Sequence, residues 1–169
     1  MNGQRLKGKV ALVTGAGSSG EGWGNGKAAA VLFAREGAQV FAVDIRSSAA
    51  EQTKRVIDEE GGMAASYQAD VSKSSEVRNM IDACVDAYGR IDILHNNVGI
   101  LEVGGPVETS EEQWDRLLAI NVKSMFLTCK YTLPIMEKQG GGTIINISSV
   151  ASIRYTGYAS ISYNASKGQ

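Results

Sequence analysis

The sequence predicts an α/β fold built on a doubly wound parallel sheet. Three observations carry this. Short apolar runs rich in β-branched residues alternate with amphipathic helical stretches along the whole chain. Several of the apolar runs are continuous rather than alternating, as expected when both faces of a strand are covered. The 20 glycines cluster where strands hand over to helices and helices to strands.

The elements follow in order. Lys9–Thr14 (KVALVT) is the first expected strand, and 26–36, Ala-rich and closed by Gly37, the first helix. Ala38–Val43 is the second strand, followed by a helix over 49–60 that ends at Gly61. A weaker third strand spans 64–68. The next helix, 75–88, carries Val77, Met80, Ile81, Cys84 and Tyr88 on one stripe and stops at Gly89. Ile91–His95 is the fourth strand. A longer helix opens at Ser110, where Gln113 completes an S-x-x-Q capping box. It is expected to run toward Pro134 with Trp114, Leu117, Leu118, Met125 and Cys129 on its buried side. Thr143–Ser148 is the fifth strand, 150–161 a loop, and Ser162–Gln169 the first turns of a last helix. The whole of 1–169 is expected to be one domain. A sheet of this kind normally continues with a further strand, so the domain is expected to be incomplete at its C-terminal end, with an exposed edge at strand five.

Bulk properties narrow the function. A net charge of −1 with no basic block gives no reason to expect a nucleic acid or an acidic membrane surface as partner. The segment 1–14 has only a brief apolar run, too short for a signal peptide or membrane span. The two cysteines, Cys84 and Cys129, lack metal-ligand spacing and sit on apolar helix stripes, where cysteine behaves as a small buried hydrophobe. A reduced, cytoplasmic protein without a metal is expected.

Two regions carry chemistry. After strand one, Thr14-Gly15-Ala16-Gly17 leads through SSGEGW to Gly24-Asn25-Gly26 at a helix start. Glycines there let the pyrophosphate of a dinucleotide approach backbone N–H groups at the positive end of a helix. Asp44 ends strand two, twenty positions after Gly24, where a ribose-binding acid is expected. Its carboxylate would accept from a ribose 2′-hydroxyl and repel a 2′-phosphate, favouring NAD over NADP. Arg46, two residues on, is the feature that could still accommodate a phosphate, and a plain loop acid is the alternative for Asp44.

The second region closes the chain. Tyr163-Asn164-Ala165-Ser166-Lys167 is a Y-x-x-x-K, which on a helix sets the ammonium beside the phenol and favours the phenolate. Such a tyrosine can act as general acid on a carbonyl oxygen or as base on an alcohol. Ser148 and Ser149 close strand five, at the carboxyl edge where ligands bind in open sheets. Asn121 lies on the apolar stripe of the long helix. It either ties strands together or holds a relay water, because a buried carboxamide needs partners. His95, at the end of strand four, reads as structural, and Trp23 as a stacking group or a pin for its loop.

Taken together, the T-G-loop-G-x-G, Asp44, Asp70-Val71, Asn96-Asn97-Val98-Gly99, Asn121, Ser149 and the Y-x-x-x-K occur in the order of the short-chain dehydrogenase/reductase family, and the sequence resembles that family's 3-oxoacyl-reductase-like members over nearly its whole length. The resemblance implies a Rossmann-type fold and a hydride exchanged between nicotinamide and a carbonyl or alcohol. It implies Tyr163 as acid/base, Lys167 as its partner and a contact to the nicotinamide ribose, Ser149 as the substrate-orienting hydroxyl and Asn121 as relay support. It further implies Gly15, Gly17, Gly24, Asn25, Gly26, Asp44, Ile45, Asp70, Val71, Asn97, Val98 and Gly99 around an NAD cofactor, with NADP less favoured. A small-molecule carbonyl or alcohol substrate and a homo-oligomer are also implied. The segments 101–109 and 152–160, with Tyr155 and Tyr158, are expected to line a moderately apolar substrate site.

The sequence departs from the family pattern in three places. The glycine-rich loop is five residues longer than the family's usual spacing, leaving open which of Gly17, Gly20, Gly22 and Gly24 meets phosphate. Its Gly22-Trp23-Gly24 portion looks like the extended loop of enoyl reductases, which space Tyr and Lys more widely. Val98 stands where alanine is usual. The chain ends two residues after Lys167. The alternatives are therefore an enoyl reductase acting on C=C bonds and a non-catalytic nucleotide-binding remnant.

Overall fold

The computed structural model describes residues 4–20 and 22–168. Glu21 of the glycine-rich segment and Gln169 of the last helix lie outside the described residues. Five parallel strands form one sheet in the order β3-β2-β1-β4-β5: β1 Val10–Thr14, β2 Gln39–Asp44, β3 Met63–Gln68, β4 Ile93–Asn96 and β5 Thr143–Asn146. The helices are α1 Asn25–Arg35, α2 Ser47–Glu59, α3 Ser74–Tyr88, α4 Glu111–Leu118, α5 Ser124–Lys138 and α6 Ile161–Lys167. The strand order reverses between β1 and β4, and a crevice opens outside the carboxyl ends of strands at such a switch point.

The continuous apolar character of VALVT follows from its central place. β1 is buried along its whole length between β2 and β4. Val10 and Leu12 face a core shared with Val77, Met80, Ile81 and Cys84 of α3 and with Leu127 and Met136 of α5. Val13 faces the opposite core, with Ala30 and Val31 of α1 and Ile57 of α2. Helix stops fall where glycine allows them. Gly89 takes the left-handed conformation, φ +77°, and its N–H closes α3 onto the Val85 carbonyl at 2.7 Å.

The long helix differs from the sequence expectation. Its start is as expected: the Ser110 hydroxyl accepts from the Gln113 N–H at 3.2 Å, and the Gln113 side chain accepts from the Ser110 N–H at 2.9 Å. It is not one α-helix, however. A π-helical turn over Ala119–Lys123 separates α4 from α5. The wider turn shifts the phase of the buried stripe, so Leu117, Asn121 and Met125 are buried but Trp114, Leu118 and Cys129 are only partly so. Pro134 does not end the helix; α5 runs on to Lys138, held by the burial of Thr132 and Met136 on either side of it.

Strand five also ends earlier than expected, at Asn146. The Ile147 N–H still reaches the Asn96 carbonyl at 3.0 Å, but the Ile147 carbonyl is taken by the Lys167 ammonium, which draws the chain away from the sheet. Ser148 and Ser149 therefore lie beyond the strand. Among the described residues β5 pairs with β4 alone, and its Ile144 and Ile145 remain half-buried. Among the described residues no helix is long and apolar enough to cross a membrane.

One carboxylate anchors the far end of the sheet. Asp92, just before β4, accepts from the Val10 N–H at 3.0 Å and from Arg90 at 2.7 and 2.8 Å, with Lys9 at 3.5 Å. Burial alone would raise its pKa, but the Arg90 and Val10 hydrogen bonds and the Arg90 and Lys9 charges outweigh that and hold it below its ordinary value. A depressed folded-state pKa gives stability that is present above the unfolded value and lost as pH falls through the folded one. Asp92→Ala, which strands the buried Val10 N–H, is expected to cost about 1–3 kcal/mol in urea unfolding at pH 7. That deficit should shrink as the pH is lowered below about 4; a pH-independent deficit would show that the Asp92 charge contributes nothing.

Candidate active site

The carboxyl ends of β1, β2, β4 and β5 open into one cleft of about 750 Å³. Every residue singled out above for cofactor contact lines it, from Gly15, Gly17, Gly24, Asn25 and Gly26 through Asp44, Ile45, Asp70, Val71, Asn97, Val98 and Gly99 to Tyr163 and Lys167. Ser149 lines it as well. Asn121 does not; it is fully buried behind the wall.

The floor is built by close backbone approach. A Cβ on Gly26 would lie 1.9 Å from the Gly15 carbonyl oxygen and 2.6 Å from Asn97 Nδ2, so no other residue fits without moving the helix. Gly15 has φ +63°, and the Asn97 side chain donates to its carbonyl at 3.0 Å. The N-cap of α1 is Gly24, which supplies no side-chain cap to the first-turn amides, and Gly24, Asn25 and Gly26 all line the cleft. Of the four glycines left open by the sequence, Gly17 and Gly24 line the cleft. The floor fits the pyrophosphate of a dinucleotide: bare backbone and a helix N-terminus without a side-chain cap.

At the β2 end, Asp44 accepts from the Gly17 N–H and from the Arg46 N–H, both at 3.0 Å. On the next wall Asp70 accepts from the Ser72 N–H and hydroxyl at 3.0 and 2.7 Å, and burial, which would raise its pKa, is outweighed by these bonds and by Lys73. The Asn-Asn-Val-Gly turn divides its work. Asn96 joins α5 to β5, accepting from Thr128 Oγ1 at 2.9 Å and donating to Asn146 at 2.9 Å, while Asn97 holds the glycine floor.

The opposite end carries Ser149, Tyr163 and Lys167. Lys167 is 4% exposed, and its ammonium donates to the Ile147 carbonyl at 2.8 Å and lies 6.0 Å from the centre of the Tyr163 ring. Burial lowers its pKa. It passes so close to Gly99 that a Cβ there would be 3.0 Å from Nζ. The two serines are not equivalent. Ser148 donates its proton to the Lys167 carbonyl at 2.6 Å, whereas Ser149 Oγ accepts from the Ala151 N–H at 3.2 Å, which leaves its O–H to donate.

Asn121 sits in the π-helical turn. Its Nδ2 donates to the Ile100 carbonyl and to Ser166 Oγ, both at 2.9 Å, and its Oδ1 accepts from the Ile100 N–H at 2.8 Å. It thereby fixes the strand of cleft wall after Gly99 to α6. Ser166, Ile147 and Ile100 are the participants the sequence reading missed. Two act through backbone groups, which no residue type announces; Ser166 could have been noticed as a polar residue inside the Y-x-x-x-K.

The remaining expectations fall as follows. His95 is 6% exposed, edge-on to Phe33 at 5.7 Å between ring centres, with a pKa lowered by burial and no place in the cleft lining. The Lys27 ammonium lies over the Trp23 ring, 5.2 Å from its centre. The segments 101–109 and 152–160 are joined by a bridge in which the Gly104 N–H donates to Ala159 and Gly104 accepts from Ile161. Tyr155 and Tyr158 are exposed, and from these segments only Leu101 lines the cleft itself.

A family profile described as short chain dehydrogenase matches residues 9–169. The chain belongs to the short-chain dehydrogenase family. It is 46% identical over 148 residues to an uncharacterized oxidoreductase of Thermotoga maritima, covering 88% of this chain and 56% of that one. A crystal structure of a Burkholderia xenovorans protein described as a short-chain dehydrogenase/reductase superposes with a TM-score of 0.95 at 49% identity, covering 98% of this chain and 66% of that one. A 7α-hydroxysteroid dehydrogenase solved with NADH and 7-oxo glycochenodeoxycholic acid gives a TM-score of 0.90 at 34% identity, covering 99% and 63%. The chain thus spans somewhat over half to about two thirds of the length of these family members.

Asn121→Ala removes both partners of the Ile100 peptide groups and is expected to destabilise the fold by about 1–3 kcal/mol. The Ile100 amide should show the largest gain in hydrogen exchange. Uniform acceleration across the chain, with Ile100 unremarkable, would argue against a local tie.

Proposed function

We propose that this chain carries the cofactor-binding and reacting groups of an NAD-dependent oxidoreductase that interconverts a carbonyl and a secondary alcohol. The observation that carries the reading is that Ser149, Tyr163 and Lys167 share one cleft with the glycine floor and Asp44. A nicotinamide dinucleotide, when bound, supplies or accepts the hydride. The bare backbone of Gly15, Gly17, Gly24 and Gly26 suits its pyrophosphate, and the Asp44 carboxylate suits an unphosphorylated ribose. The NADH in the 7α-hydroxysteroid dehydrogenase structure is consistent with this choice.

The roles at the other end follow from which protons are free. Ser149 donates its O–H to the substrate oxygen, holding it before the Tyr163 hydroxyl. Tyr163 gives a proton to that oxygen during carbonyl reduction and removes one from the alcohol in the reverse direction. Lys167, desolvated and fixed on Ile147, places positive charge beside the ring, which offsets negative charge that develops on the phenol oxygen as its proton is transferred. Asn121 acts through Ile100 and Ser166 and keeps Lys167 and Tyr163 in register with the wall. The wall near these groups is made of Val98, Ile100, Leu101, Ile120 and Ile147, which suits a substrate with an apolar body.

Two measurements test this. The thermal midpoint of the chain should rise more with NADH than with NADPH at equal concentration, because only the first avoids a phosphate against Asp44. Equal shifts would remove the assignment to NAD, and no shift with either would remove the cofactor site. In protein that turns over, Tyr163→Phe is expected to lower kcat by about 10²–10⁴-fold while NADH affinity changes little. Retained turnover in this variant would exclude Tyr163 as the acid/base.

A further inference from the structure

Arg46 lines the ribose end of the cleft, and its part, left open by the sequence, is assigned by its geometry. Its Nη2 donates to the Ser18 carbonyl at 2.5 Å, and its Nε lies 3.9 Å from Asp44 Oδ1. Its own N–H donates to the same carboxylate oxygen. The guanidinium is therefore turned onto the lengthened glycine-rich loop.

Ser18 is the node of that loop. Its hydroxyl donates to the Gly22 carbonyl at 3.0 Å and accepts from the Gly24 N–H at 2.7 Å, so one side chain closes the loop at its base. The neighbouring Gly17 N–H is bound to Asp44, and a Cβ on Gly17 would lie 2.5 Å from Ala49 Cβ and 2.8 Å from Asp44 Oδ2. Fixing Ser18 thus fixes Gly17 and Gly24, two of the glycines facing the cleft and the second of them the N-cap of α1. Five additional loop residues add conformational freedom that binding must remove. A strap that removes it beforehand preorganises the floor.

We propose that Arg46 is a positioning residue that raises cofactor affinity by strapping Ser18 and the glycine-rich loop against Asp44, and that it is not a receptor for a 2′-phosphate. A phosphate receptor presents its N–H fork to the ligand; here the fork is directed to a backbone carbonyl, and a phosphate drawn to it would sit beside the Asp44 carboxylate. The proposal rests on the cofactor reading above for its affinity half, and on the loop alone for its strap half.

The experiment measures amide exchange at Gly17 and Gly24 without nucleotide, and the dissociation constants of NADH and NADPH, for the wild-type chain, Arg46→Ala and Arg46→Lys. Trp23, within the loop, provides a fluorescence readout of its environment. Arg46→Ala should speed exchange at both amides and shift the Trp23 emission. Because Arg46 is half-exposed, NADH binding should weaken by about three- to tenfold, with NADPH weakened by no larger factor. Arg46→Lys, which keeps a donor within reach of Ser18, should recover part of both effects. A loss confined to NADPH, with NADH binding and exchange unchanged, makes Arg46 a phosphate receptor and overturns the proposal. Unchanged exchange and unchanged affinities overturn it as well. If the wild-type chain binds neither nucleotide, the cofactor reading and the affinity half fail together, while the exchange rates still decide whether the strap exists.

Discussion

The contact between the first turn of α1 and the end of β1 is the constraint on which the cleft depends. With Gly26 against the Gly15 carbonyl, at a separation no Cβ could share, helix and strand end meet backbone to backbone. Asn97 completes the junction from β4 by donating to the same carbonyl. The helix N-terminus, the glycine turn and the end of the neighbouring strand become one surface. From there the β2 wall is set by Gly17 on Asp44, and the far wall by the residues that follow Asn97.

The Tyr163 end of the cleft is organised by a different economy of buried polar groups. Lys167 and Asn121 are both nearly or wholly inaccessible, and such groups are tolerated only when their hydrogen bonds are met. Lys167 is met by the Ile147 carbonyl, a neutral acceptor rather than a carboxylate. Asn121 is met on both sides of its amide by one peptide unit and by Ser166, and this couples the helix it belongs to with α6. Ser148 adds a bond to the Lys167 carbonyl from the other side. The short α6, too short to be stable in isolation, is held by these side-chain bonds.

The sequence reported the strands and their order of appearance well, because these depend on local signals. VALVT is apolar at every position because both its faces are covered, and the glycines at 15, 17, 24 and 26 mark a place where side chains cannot go. The fate of the long helix was not legible. Its apolar stripe reads continuously through Asn121, and nothing in AINVK distinguishes a π-helical turn from an α-helical one. Pro134 gave a misleading stop, since tertiary burial on both flanks overrides the loss of one backbone bond. Ser148 and Ser149 are alike in sequence, and only the partner each finds separates them. The end of β5 was misjudged for a related reason, because the Ile147 carbonyl is claimed by a side chain twenty residues away.

The π-helical turn has a mechanical meaning beyond the one asparagine it carries. An unbroken rod would present the same face along its length, whereas α4 packs against α6 and α5 against α3. A widened turn between them rotates one half relative to the other, so a single rod serves two partners that lie in different directions. Removing one residue from Ala119–Lys123 would restore a regular helix and, by doing so, turn α5 about its axis by roughly the 100° that one residue occupies. Regularity at this point would be the defect: the chain keeps a local irregularity so that two larger surfaces can both be flush.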